Sequence, residues 1–255
     1  MLDLKWLDAM RAETPQDIVR AAQALRDGAC DLFDCRVAAS ANIASMAPMR
    51  DADGQLLATG IFGWDSSDRW WRTPGMALKS PITAACRYEH EPFWCNADGI
   101  HTRARNPLLD QIDLSDFEQR AHTHAAIVVP VHLPFGYLGA ATFQARDRNR
   151  TDLNGEFAAF GDILGLYART FIAGYQRVMG RPGRITVKNP LSRHEVECLR
   201  WAAIGKTDVE IGIILSRSRA TVRFHIHNAA TKLDAVNRSQ TLFKATQLGY
   251  IGFNA

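Results

Sequence analysis

The chain of 255 residues has no unbroken apolar run approaching the roughly 18 residues that a membrane-spanning helix needs. Nor does it begin with a basic stretch followed by an apolar one. MLDLKWLDAMRAE mixes acids with amphipathically spaced apolar residues, which is not the pattern of a secretory leader. These absences predict a cytoplasmic protein with no membrane partner. Cysteine is scarce and unpaired in pattern: Cys30, Cys35, Cys86, Cys95 and Cys198 form an odd set with no C-x-x-C spacing. That excludes a disulfide framework or a zinc module as the organising feature and leaves buried thiols as the reading. Internal repeats and low-complexity tracts are also missing. With 47% apolar and 22% charged residues the composition is ordinary for a globular chain, and the length favours two domains with separate cores.

Catalytic constellations are missing as well. His122 and His124 could lie on one strand face as metal ligands, yet no nearby carboxylate or cysteine completes a set. Cys95 and His90 are too weakly placed to act as nucleophile and base. The chain is therefore expected not to be an enzyme, with no metal and no other cofactor.

What is present is a lopsided charge. Residues 181–255 hold 12 Lys and Arg against 5 Asp and Glu, a net of +7, whereas residues 1–180 carry a net of −4. A compact basic domain joined to a mildly acidic one fits a polyanion-binding module carried by a domain with another task.

Local signals place the elements. Thr14-Pro15-Gln16-Asp17 reads as a helix start, with Gly28 as its end. Val37–Ser45 and Gln55–Phe62 read as strands joined by a hairpin turn at Asp53-Gly54, and Ala126–Leu133 with Tyr137–Gln144 as a second hairpin. Two hairpins imply an antiparallel sheet. Between them, residues 64–96 are aromatic and poorly periodic, so helices and loops are expected to cover one sheet face there. Residues 151–178 carry Phe157, Phe160, Ile163, Leu164, Tyr167, Phe171 and Ile172 at helical spacing, a stripe made to pack on the sheet or across a dimer interface. Gly180-Arg181-Pro182-Gly183-Arg184 and Asn189-Pro190 have the breaker content of a linker. The expected organisation is a first domain over 1–180, a linker over 181–190 and a second domain over 191–255.

In the second domain Ser192 and Glu195 match a capping box, so a helix should run from about Arg193 to its terminator Gly205. A short helix, Asp208–Leu215, is expected to place Val209, Ile211, Ile214 and Leu215 inward. Ser216 to Ser218 form the next turn, and a third helix, about Arg219–Leu233, buries Val222, Ile226, Ala229, Ala230 and Leu233. A fourth spans Ser239–Leu248 and ends at Gly249. This is the order of a helix-turn-helix domain, in which one helix enters the major groove. Arg219, Arg223 and His227 are spaced by four, so they share one face of the third helix and can point together at base edges. Arg223 is the best candidate for direct readout, because a guanidinium can grip guanine O6 and N7 together. Lys206, Ser218, Thr221 and His225 are better suited to holding phosphates.

The stretch from Pro190 to Ile251 resembles the DNA-binding domain of LuxR-type regulators without a gap. Leu191, Glu195, Leu199, Gly205-Lys206, Glu210-Ile211, Thr221-Val222, His225, Lys232-Leu233 and Asn237-Arg238 fall at that family's characteristic places. The resemblance implies an α+β protein: an N-terminal α-β-α sandwich around an antiparallel sheet, followed by an all-α, four-helix helix-turn-helix domain. It implies a homodimer on an inverted-repeat site in double-stranded DNA, with quorum-sensing-like control. The N-terminal half resembles the autoinducer-binding domain of the same regulators, which holds an acyl-homoserine lactone between the sheet and one helical layer. AAIVVPVHLPFGYLGAATF matches that domain's paired strands, with Pro130, Gly136 and Thr142 in register. Ser80 stands where the family has the Asp that accepts from the ligand amide, Ser67 where it has the lactone-contacting Trp, and Trp71 where it has a Tyr. A later Trp falls at or beside Cys95, one place from Trp94, and a usual Gly falls at Ala126. An acceptor lost from a buried amide costs roughly 1–3 kcal/mol, which favours a different apolar or aromatic ligand at least as much as the lactone. The resulting ligand-binding set is Phe62, Trp64, Trp71, Ser80, Trp94, Ala126 and Thr142. The alternative is a first domain that dimerises without any ligand.

Overall fold

The computed structural model describes residues 4–44, 47–65, 75–180 and 190–252. They belong to two compact units, Met1–Leu133 with Tyr137–Arg181, and Pro134–Gly136 with Pro182–Ala255. Residues 181–189 of the expected linker lie outside the described residues.

The first unit begins with helices α1 (Leu4–Met10) and α2 (Ile18–Cys30). Thr14 and Asp17 cap a single 3-10 turn at Pro15–Asp17 that leads into α2. Gly28 does not end that helix. A Cβ there would lie 3.0 Å from the Trp6 ring and 3.1 Å from Tyr167, so the glycine lets α2 approach its neighbours closely. Strand β1 (Cys35–Ser40) follows, then the short helices α3 (Leu57–Gly60) and α4 (Met76–Lys79), and α5 (Pro81–Tyr88). After these come β2 (Phe93–Asn96), β3 (Ile100–His101), α6 (Phe117–Ala121), β4 (Ala125–His132), β5 (Leu138–Ala145) and the long helix α7 (Asn154–Met179).

Among the described residues five strands form one antiparallel sheet in the order β1-β5-β4-β2-β3. The β4–β5 hairpin is present as expected, with Phe135 (φ 66°) and Gly136 (φ 72°) turning the chain. Pro130 sits in β4 opposite Ala140, beyond the stretch where β2 pairs on the other side. A residue without an N–H is tolerated at that half-open position. The first expected hairpin does not form. β1 pairs with β5 instead, and 55–62 contains α3 with only an isolated bridge, Arg50 to Leu56. Asp53-Gly54 does make its turn, with Gly54 at φ 81° and its N–H on the Asp51 carbonyl. Leu57 and Ile61 are also four apart, so the same apolar residues satisfy a helical period, and turn chemistry alone cannot pair strands.

Each sheet face is covered. On one, Val37, Ile127, Val129 and Phe143 pack with Leu25, Tyr167 and Phe171 of α2 and α7. On the other, Phe93, Cys95, Ala126 and Val128 pack with Cys86 of α5 and Phe117 of α6. The predicted α7 stripe faces the sheet, with Phe157, Leu164, Tyr167, Phe171 and Ile172 buried and Phe160 and Ile163 half-buried. Each large side chain so buried contributes about 1.5–3 kcal/mol. All five cysteines are free. Burial pushes the Cys86 thiol up to about 12 and raises Cys35 and Cys95 as well, as expected of inert core thiols. Among the described residues no helix is long and apolar enough to cross a membrane.

The second unit contains α8 (Arg193–Ala203), α9 (Asp208–Ile214), α10 (Arg219–Lys232) and α11 (Arg238–Gln247). Four side chains cap the four starts: Ser192, Thr207, Ser218 and Asn237 each accept from a backbone N–H one turn on. Gly205 (φ 97°) and Gly249 (φ 75°) turn the chain after α8 and α11. Cys198, Ala202, Ile211, Val222 and Ile226 make one core cluster, and Leu199, Ala229, Leu233, Ala245 and Ile251 a second. Two expectations for α9 are corrected, because Val209 and Ile214 are exposed while Ile211 is buried and Leu215 half-buried. A helix of this length has room for one inward row, and Ile211 with Leu215 takes it. Ala230 is half-buried. A Cβ on Gly212 would meet the Arg217 carbonyl at 2.7 Å, and Arg217 N–H bonds the Gly212 carbonyl at 2.8 Å. The turn between α9 and α10 therefore closes directly onto a residue that must lack a side chain.

Candidate nucleic-acid interface

α10 starts where Ser218 Oγ accepts from Thr221 N–H at 3.0 Å and bonds the Thr221 hydroxyl at 2.8 Å. With about 100° of turn per residue, Val222, Ile226, Ala229 and Leu233 point into the core, while Arg219, Arg223 and His227 are all exposed along one face. The helix has no acidic residue, so nothing on it neutralises those side chains. Lys206, in the turn before α9, joins Arg219 and Arg238 around a cleft of about 450 Å³. Its ammonium lies 3.8 Å from Glu210, an exposed pair that leaves it available to an outside anion. Arg238 is anchored by an ion pair to Asp208 and donates to the Lys206 carbonyl at 2.9 Å, which fixes the turn that presents Lys206.

His225 departs from this set. Two positions past Arg223 it points to the opposite flank, where its ring centroid lies 5.5 Å from that of His194 on α8. Burial first, and then His194, hold its pKa below the ordinary value. Sequence reading missed Phe224, which is 60% exposed on the outward side of α10 between the Arg223 and Asn228 directions. Its signal was available, since an aromatic ring off the buried stripe has no core to fill. Arg238, singled out in the sequence only by resemblance, was given no role there because its role depends on Asp208, 30 residues away.

The expected ligand-binding residues divide between the two faces of the first unit's sheet. Phe62, Trp64 and Trp94 belong to the cluster under α1, α2 and α7. There Trp64 Nε1 donates to the Val37 carbonyl at 2.7 Å, and Trp94 stacks on His101 with centroids 4.0 Å apart. Ala126 and Thr142 point to the other face, where Ala126 packs in the cluster beneath α5 and α6. Ser80 is buried at the start of α5, whose Ile82, Ala85 and Cys86 pack into that cluster. Trp71 and Ser67 lie outside the described residues. A further polar side chain shares the Thr142 side of the sheet: buried Gln144, whose Nε2 donates to Thr142 Oγ1 at 3.5 Å. Its two-residue spacing from Thr142 could have identified it. Among the described residues no group of three His, Cys, Asp or Glu side chains could hold a metal ion, and His124 bonds the Asp147 carbonyl at 2.9 Å.

Comparison with known proteins bears on both units. Residues 189–245 match the family model described as bacterial regulatory proteins, luxR family. The chain is 36% identical over 130 residues to the transcriptional activator protein VanR of Vibrio anguillarum, covering 50% of this chain and 52% of that one. It is 37% identical over 123 residues to the quorum sensing-dependent transcriptional regulator RpaR of Rhodopseudomonas palustris, covering 48% and 47%. The chain thus spans about half the length of the curated relatives it matches. A crystal structure of Escherichia coli SdiA superposes with a TM-score of 0.52 at 19% identity, covering 98% of this chain and 99% of that one, and shares its fold. A capped, acid-free α10 docked on α8 and α9 and a turn that closes on Gly212 agree with this match: helices α8 to α11 form a helix-turn-helix domain of the kind described by the luxR family model.

Proposed function

We propose that the chain is a ligand-responsive transcription regulator that acts in the cytoplasm rather than an enzyme. It binds double-stranded DNA as a homodimer and places two copies of α10 into successive major grooves of an inverted-repeat site. The observation that carries this reading is the exposed row Arg219, Arg223 and His227 on a helix without acids. In the groove Arg223 reads a guanine edge, with Arg219, His227 and Phe224 beside it, and Phe224 suits the methyl group of thymine. Lys206, Ser218, Thr221 and His225 hold phosphates, which supplies affinity without sequence information.

The first unit is assigned the sensing of a small apolar or aromatic molecule or an acyl-homoserine lactone, in keeping with the quorum-sensing names of the relatives. The sheet side that carries Ala126, Thr142 and Gln144, near Ser80, is the proposed ligand side. It offers hydroxyl and amide groups on an otherwise apolar floor, the usual make-up of a small-molecule site. Phe62, Trp64 and Trp94 then support that floor from behind. Thermal unfolding and duplex affinity measured with a panel of acyl-homoserine lactones and aromatic compounds test this assignment. A ligand should raise the apparent stability by RT ln(1 + [L]/Kd) and shift duplex affinity with the same concentration dependence. If no compound moves either quantity, the first unit is a ligand-independent dimerisation module.

A further inference from the structure

Three segments of the second unit bring basic side chains to one cleft of about 310 Å³. α8 supplies Arg193, His194 and Glu197, the turn before α10 supplies Arg217, and α10 supplies His225. Arg217 Nη2 lies 3.4 Å from His194 Nε2, and the His194 and His225 rings are neighbours. Among the described residues the single carboxylate lining the cleft, Glu197, is engaged by Arg193 at 2.9 Å. Glu195, which acts on His225 from outside the lining, is taken up by Lys232. Among the described residues no carboxylate pairs with Arg217. Among the described residues the Arg217 guanidinium and the two imidazoles of the cleft have no counter-ion of their own, and its concave shape can partly enclose a small anion.

We propose that this cleft is a phosphoryl-anion subsite, in which Arg217, His194 and His225 grip one phosphate group on the flank of α10 away from Arg223. That the phosphate is a DNA backbone phosphodiester rests on the proposed DNA-binding function; a free phosphate would satisfy the same groups. Burial holds the His225 pKa below its ordinary value, and the neighbouring His194 and Arg217 add to that effect. A phosphate bound beside His225 supplies an opposite charge and favours the protonated form of that ring. Binding is therefore coupled to proton uptake, and affinity rises as pH falls through the imidazole range. The titratable groups facing His225 are His194, Glu197, Arg193 and Cys198 from α8 and Arg217 from the turn, with Glu195 contributing an opposing attraction.

The test follows the histidine ring signals of the full chain by NMR between about pH 8 and pH 6, the range in which imidazoles titrate. Three solutions are compared at matched ionic strength: sodium chloride, inorganic phosphate, and a short DNA duplex. Wild type is compared with Arg217→Gln and with Arg217→Lys, which restores the charge at an exposed position. An upward move of the His225 midpoint in phosphate, lost in Arg217→Gln and regained in Arg217→Lys, supports a site open to free phosphate. The same pattern with the duplex alone assigns the anion to the DNA backbone. In that case Arg217→Gln also lowers the slope of log affinity against log salt by about one. A His225 midpoint that neither phosphate nor duplex moves overturns the inference. If that occurs while Arg223→Ala still weakens duplex binding, the subsite fails and the DNA-binding reading stands. If phosphate moves the midpoint but no duplex binds, the reverse holds.

Discussion

Replacing Glu195 by alanine is expected to cost the second unit about 3 kcal/mol, the sum of a lost cap and a lost charge-assisted hydrogen bond. Glu195 is only 3% exposed. Its Oε2 accepts from the Ser192 N–H at 2.7 Å and from Lys232 Nζ at 2.9 Å, so one carboxylate ties the first turn of α8 to the last turn of α10. Burial alone would push this carboxyl up, but the Lys232 ammonium and the Ser192 N–H outweigh it and hold the pKa below the ordinary 4.5. A depressed carboxylate stabilises the fold above its unfolded-state pKa, and that contribution is lost as pH falls below it. The unit should therefore lose stability on acidification below about pH 4.5, and the alanine variant should lack this dependence. Urea unfolding monitored at Trp201, which packs at the core of this unit, measures both effects. Glu195→Gln keeps an acceptor for Ser192 and should fall between the two. A loss below about 1 kcal/mol in Glu195→Ala, the size of an ordinary cap alone, would show that the link between α8 and α10 is not what holds α10 in place.

Arg223→Ala is expected to cost roughly 1–3 kcal/mol in binding to a selected site and to relax base preference at one position. Lys206→Ala should weaken selected and scrambled duplexes alike, because a phosphate contact contains no sequence information. The distinction follows from placement. Arg223 stands in the middle of the exposed row of α10, whereas Lys206 lies in the turn ahead of α9, at a cleft shared with Arg219. Sites are obtained by selection from random duplexes, and competition between selected and scrambled sequences measures the discrimination. If Arg223→Ala reduced both by the same factor, the arginine would be a phosphate contact and α10 would enter the groove on a different face.

The second unit was largely legible in sequence because its determinants are local. Ser192 with Glu195, Gly205, Gly249 and the stripe Val222, Ile226, Ala229 and Leu233 each act within a few turns of chain. Thr207 with Glu210 carries the same capping signature and closes the same box, and it was equally open to a local reading. Val209 and Ile214 were misplaced because Asp208–Leu215 has more apolar residues than one short helix can bury. In the first unit the β4–β5 hairpin was legible from its alternation and turn. The partner of β1 was not, since the Cys35–Ala145 pairing joins positions over a hundred residues apart and no local rule specifies it. The aromatic residues Phe62, Trp64 and Trp94 were grouped with Thr142 by composition and resemblance. Strand alternation separates Trp94 from Thr142, because Trp94 and Cys95 point to opposite faces and Cys95 is the one aligned with Ala126. His225 was grouped with the phosphate contacts by its place on the third helix, and only the packing of α8 reveals the second basic cleft it lines.

Whether the exposed row of α10 enters a DNA groove is tested most directly by equilibrium binding of the full chain to duplex DNA across a range of salt concentrations. Log affinity should fall linearly with log salt, with a slope of several released counterions, and Arg219→Ala and Arg223→Ala should both weaken the binding. Binding that is absent at low salt, or indifferent to salt and to both substitutions, would contradict that placement of α10.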